Sequence, residues 1–194
     1  MNNELIQRLK DGNERFLAKK MVDHNYMAQV AATAGGQKPF AAVLGCIDSR
    51  VPAEVVFDQG IGDIFNVRIA GNFVNDDILG SLEFACKVAG SKVILVLGHT
   101  SCGAVKGACD NVELGKLTGM LENIKPAIKS VEAGFSEKTS KNAEYVQAVS
   151  DANVSLTIKA IKDRSEVLSE MIDNNEISVV GAMYDVATGK VTFN

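Results

Sequence analysis

Apolar positions along this chain change between helical spacing and short unbroken runs. Over about 3–19, Ile6, Leu9, Phe16 and Leu17 recur at the period of an amphipathic helix. A second helix is predicted over 25–33, where Gly35-Gly36 then breaks the pattern. Three apolar runs follow at 40–44, 64–69 and 93–97, each bounded by turn residues. Continuous runs of this length suit strands buried on both faces of a parallel sheet. Between the second and third runs, Asn75-Asp76 offers a helix cap, and Ile78, Leu79, Leu82, Phe84 and Ala85 carry a helix over about 76–89. Further helices are predicted near 103–110, 117–132, 141–163 and 166–173, with Pro126 interrupting the second. The runs 177–184 and 190–193, joined by an Ala-Thr-Gly turn, read as a hairpin. Strands alternating with helices predict an α/β fold: a central, mainly parallel sheet with flanking helices and an antiparallel edge strand.

Length and composition set limits on this picture. The chain of 194 residues suits one domain, here 1–194 with an N-terminal helical arm over about 1–34. A net charge of −4 leaves no basic surplus for phosphates, so no nucleic-acid partner is expected. No apolar run approaches the ~20 residues of a membrane helix, so no membrane partner is expected either. The polar start, Met1-Asn2-Asn3-Glu4, carries no signal-peptide pattern and points to the cytoplasm, a leader already removed being left open. Four cysteines without a secretory signal are expected to be free thiols or metal ligands rather than disulfides.

Sites in open α/β sheets form at the carboxyl ends of strands. The first apolar run leads into Cys46-Ile47-Asp48-Ser49-Arg50, and the third into His99-Thr100-Ser101-Cys102-Gly103. The fold should set these strand ends side by side. Two thiols and an imidazole suit Zn²⁺ in a tetrahedral site whose fourth position is free for substrate. Cys102 should open a helix, whose positive end favours its thiolate. Each residue also has a plainer reading. A lone Cys after a strand is commonly a small buried apolar residue, and Asp48 with Arg50 can be an ordinary surface pair. If functional, Arg50 holds Asp48 by charge-assisted hydrogen bonds, and Asp48 either accepts a proton from metal-bound water or serves as a fourth ligand. Cys86 and Cys109 sit in apolar helical surroundings and read as core. Asp76-Asp77 reads as capping and His24 as an exposed surface histidine.

Together the Cys46-Ile-Asp48-Ser-Arg50 and Gly-His99-Thr-Ser-Cys102-Gly segments resemble the signature of the β-class carbonic anhydrases. The likeness continues through Val51–Glu54, Asp58–Gly60, Val67–Asn72, Gly80–Phe84 and Gly181–Asp185. It implies reversible hydration of carbon dioxide to bicarbonate and a proton, by hydroxide held on one zinc per chain. It implies ligands Cys46, His99 and Cys102, an Asp48–Arg50 dyad, and a homodimer that in some members assembles further to a tetramer, with active sites at the subunit interface. In the plant-like variant, substrate binding falls to Gln37, Phe65, Ala70, Phe84 and Gly103, with Phe84 replacing a common tyrosine. In the other variant Asp48 closes onto zinc and a tryptophan–arginine–tyrosine set holds regulatory bicarbonate. Arg68 and Tyr184 match two of that set, but Val43 stands at the tryptophan position, and the chain has no Trp. The open, plant-like variant is therefore favoured. Three rivals are a carbon disulfide hydrolase on the same site, a non-catalytic zinc module with four protein ligands, and a thiol redox protein, which would lack the usual Cys-x-x-Cys pair.

Overall fold

The computed structural model describes residues 2–194. Two helices open the chain, α1 (Asn2–Leu17) and α2 (Tyr26–Thr33), followed by strand β1 (Ala41–Gly45) and the short helix α3 (Ala53–Val56). Next come β2 (Ile64–Arg68), α4 (Asp76–Glu83), a π-helical turn at Phe84–Val88, and β3 (Val93–His99). Helices α5 (Gly103–Cys109), α6 (Gly115–Leu121), α7 (Lys125–Val131), α8 (Ala143–Arg164) and α9 (Glu166–Asp173) precede the hairpin of β4 (Ser178–Tyr184) and β5 (Val191–Phe193). The predicted elements are all present. The 117–132 stretch divides at a 3₁₀ turn, Glu122–Ile124, and α7 carries Pro126 in its first turn. Sequence periodicity did not anticipate α3, which is too short to show a period.

The sheet has order β2-β1-β3-β4-β5, parallel except for the β4–β5 pair. Strands β1 and β3 are buried throughout, as their unbroken apolar runs require. Side chains alternate between faces. Val43, Leu95 and Leu97 pack toward α1 and α3, with Leu9, Phe57 and Tyr184. Leu44, Ile94 and Val96 pack the other way, with Leu82 of α4, Val154 and Ile161 of α8, and Leu168 of α9.

Helix α1 buries Leu9, Gly12 and Asn13, whereas Leu17, expected on its core side, is 41% exposed. The stripe runs through a glycine and an amide, which hydrophobic periodicity does not register. Gly12 allows a close approach: a Cβ there would lie 1.8 Å from the carbonyl oxygen of Phe57. Asn13 donates to the carbonyls of Val56 and Gly189 and accepts from the amide of Val191. It thus fastens α1 to the end of α3 and to the closing hairpin.

His24 is not the exposed residue predicted. Its side chain is 10% exposed, and Nε2 lies 3.1 Å from Asp58 Oδ1. Asp58 is buried at positive φ and also accepts from Arg15 Nε and the Val22 amide. Burial works to raise its carboxyl, but the Arg15 bond, the Val22 amide and His24 outweigh it and leave the group below its usual range. This cluster ties down the segment between α1 and α2. Cys86 and Cys109 are buried, and desolvation pushes both thiols up to about 11, as core thiols should behave. Asn75 caps α4 through the Ile78 amide, and Asp76 in the first turn pairs with Arg164.

Candidate metal centre

Strands β1 and β3 pair in parallel, with Gly45 opposite Leu97. Their carboxyl ends therefore deliver Cys46 and His99 to the same rim of the sheet. Past His99 the chain turns through Ser101 at positive φ and enters α5 with Cys102 at the N-cap. The turn is braced by β4: the Thr100 amide donates to the Tyr184 carbonyl, and Thr100 Oγ1 accepts from the Val186 amide.

Cys46, His99 and Cys102 are all buried, and their ligand atoms lie within 4.8 Å of one another. The two sulfurs are 4.0 Å apart. Two sulfurs each ~2.3 Å from a tetrahedral zinc would stand roughly 3.8 Å apart, so the pair is already near the spacing a metal needs. His99 Nδ1–H donates to the Thr100 carbonyl at 2.9 Å, which leaves Nε2 as the bare lone-pair nitrogen. That Nε2 is buried and has no hydrogen-bond partner. An orphaned buried acceptor is costly, and a metal ion between it and the sulfurs would satisfy it. The donor set fits zinc, and among the described residues it numbers three, one short of a closed tetrahedral site.

The sulfurs have unequal surroundings. Cys46 is lowered to about 4, chiefly by its hydrogen bond with Cys102; burial opposes this, and His99 and the amides of Gly71 and Asp48 assist. Cys102 is pushed up, first by that same bond and then by burial, although the amides of Ala104 and Val105 in the first turn of α5 pull the other way. The pair therefore accommodates one thiolate far more readily than two. A cation supplies the stabilisation the second thiolate lacks.

Asp48 lies beside this cluster. Arg50 donates from its backbone amide and Nε to Asp48 Oδ1, at 3.0 and 2.9 Å, and from Nη2 to Oδ2 at 2.7 Å. These bonds hold the carboxyl well below the usual carboxylate range. Oδ2 is 3.9 Å from His99 Nε2, turned to the metal position but engaged by Arg50.

A cavity of about 270 Å³ opens over Cys46 and Asp48. Ala70 and Gly103 line it, as expected, together with Leu117 and Met120 of α6, which sequence reasoning missed. Their apolar character is as typical of core as of a pocket. Phe65 and Phe84 are not in this cavity. They stack edge to face, with centroids 6.3 Å apart, and line a separate hollow of about 640 Å³. The register explains it: Phe65 pairs with Ala42, so it sits roughly 13 Å back along the strands from Cys46. Gln37 lies on exposed coil ahead of β1. The expected substrate set is therefore split within one chain.

A carbonic anhydrase family model matches residues 41–191. Carbonic anhydrase 2 of Mycobacterium tuberculosis is 39% identical over 193 residues, covering 94% of this chain and 87% of the relative. The β-carbonic anhydrase CafA of Aspergillus fumigatus has a TM-score of 0.79 at 28% identity, covering 87% of this chain and 81% of that one. A tetrameric β-carbonic anhydrase of Sordaria macrospora shares the fold, with a TM-score of 0.78 at 24% identity over 98% of this chain and 96% of its own.

Proposed function

The chain belongs to the β-class carbonic anhydrase family, and on that premise we propose that it hydrates carbon dioxide reversibly at one zinc ion held by Cys46, His99 and Cys102. The observation that carries the reading is the buried, unpartnered His99 Nε2 facing two thiols at near-ligand spacing. When bound, zinc supplies a Lewis acid that makes water a nucleophile near neutral pH. The remaining roles fall to side chains. Arg50 fixes Asp48 by both oxygens, so the carboxylate stays off the metal and the site stays open. With its carboxyl held so low, Asp48 is a poor resting place for a proton. Its work is to accept a hydrogen bond at Oδ2 and so orient the reacting water. Ala70, Leu117 and Met120 line a dry recess suited to a small apolar substrate. Val43 is fully buried in the core, which leaves no tryptophan-like wall for a regulatory bicarbonate and favours the plant-like variant.

The pocket is open in one chain. Phe84 is 51% and Val88 71% exposed, beside the unpaired edge of β2. A second copy meeting this edge would bring Gln37, Phe65 and Phe84 over the cavity of its neighbour, and the arm at 1–34 acts as part of the same single domain.

Stopped-flow carbon dioxide hydration, with zinc content measured on the same sample, tests the proposal. The parent should carry about one zinc per chain and turn over, and Cys102→Ser should lose metal and activity together. A zinc-loaded parent without hydration activity overturns it.

A further inference from the structure

The segment that follows β1 leaves the sheet at Gly45 and carries two functional groups within three residues, Cys46 and Asp48. Its neighbour, Arg68 to Gly71 at the end of β2, grips it at four points. The Ile69 amide donates to the Gly45 carbonyl at 3.1 Å, extending the ladder one step. Arg68 Nε donates to the Cys46 carbonyl at 2.9 Å, and Arg68 Nη2 to the Asp48 carbonyl at 2.6 Å. The Gly71 amide donates to Cys46 Sγ at 3.4 Å. Beyond Gly45 no strand partner remains for the Cys46 and Asp48 carbonyls; one guanidinium reaches both, joined at the Asp48 carbonyl by the Val51 amide at 3.0 Å.

We infer that Arg68 is a positioning residue: by bridging the carbonyls of Cys46 and Asp48 it sets the distance between a sulfur ligand and the carboxylate that faces the metal position. The inference rests on the metal reading above. A planar guanidinium can span two acceptors with fixed geometry, whereas an ammonium is a point donor on a flexible stem. Arg68 grips the backbone of the loop, while Arg50 grips the Asp48 side chain, so position and orientation are fixed by separate cations. Among the described residues Arg68 forms no ion pair, which is consistent with its charge being directed to these carbonyls. The resemblance to a bicarbonate-holding arginine is therefore met here by a different use of the same side chain.

The test compares the parent with Arg68→Met and Arg68→Lys. It uses zinc competition against a chromophoric chelator, the visible spectrum of the cobalt-substituted protein, hydration kinetics, and far-ultraviolet circular dichroism. Arg68→Met should keep its secondary structure yet bind zinc about tenfold or more weakly, the usual cost of losing a group that orients ligands. Its cobalt bands should change in intensity as the Cys46 sulfur and the Arg50-held carboxylate shift relative to each other, and kcat should fall more than KM. Arg68→Lys should recover only part of the affinity. Parental affinity and an unchanged cobalt spectrum in Arg68→Met would overturn the inference. Should Arg68→Met fail to fold, full parental affinity in Arg68→Lys would do so. A parent that takes up no zinc would instead bring down the metal reading, and this inference with it.

Discussion

At Asp48 the energetics of stability and of catalysis separate. Arg50 holds the carboxylate at both oxygens, but its own side chain is 51% exposed. Solvent screens such a pair, so it contributes little to stability. Because the folded carboxyl lies below its unfolded value, whatever the pair contributes is present above the ordinary carboxylate range. It is lost as pH falls through and below that range. Asp48→Asn should therefore melt within a few degrees of the parent at pH 7 and retain zinc, yet lose about 10²-fold in kcat/KM. Thermal denaturation and stopped-flow kinetics on one preparation decide this, and a fully active Asp48→Asn would remove the orienting role. The Cys46–His99–Cys102 cluster and the Asp48–Arg50 pair were legible in the sequence as groupings because they are chemically distinctive types at strand ends. Arg68 was legible only as a family position, since the backbone carbonyls it serves leave no trace in side-chain pattern. Phe65, Phe84 and Gln37 were legible as residues, but no sequence pattern says which subunit's cavity they would serve.

Among the elements, α1 shows how a helix can be right in extent and wrong in face. Its periodic apolar residues predicted the span, while the deepest contact falls on Gly12 and Asn13. Alanine at position 12 should favour the isolated helix by about 1 kcal/mol. The added methyl, however, meets the Phe57 carbonyl at 1.8 Å, and a backbone oxygen cannot yield as a side-chain end can. With a backbone oxygen that close, the cost falls at the upper end of the ~1–3 kcal/mol usual for overpacking, so after the helix gain Gly12→Ala should lose about 2 kcal/mol net in denaturant unfolding. A stabilised variant would show that α1 sits less tightly than its geometry indicates. The strands were legible for the opposite reason: β1 and β3 are buried on both faces, so their apolar runs are continuous.

For the whole molecule, assembly is part of catalysis under the proposed function, because the cavity is open and Phe84 is exposed in one chain. Phe84→Arg should leave the isolated chain folded, since a half-exposed side chain contributes little to its own core. It should weaken self-association, seen by sedimentation velocity, and lower activity per chain in step, with zinc retained. A dissociated variant of parental activity would mean that one chain suffices.

The side chain of Asn13 joins residues that are 176 and 178 positions apart, with partners on the hairpin that closes the sheet. On a ribosome, helix α1 emerges early and the Val56 carbonyl follows soon after, but the Gly189 acceptor and the Val191 donor arrive only with almost the entire polypeptide. Contacts so remote in sequence form late and slowly. The first helix is thus a late arrival in folding, and truncated or stalled chains would display its sticky inner face to the cell.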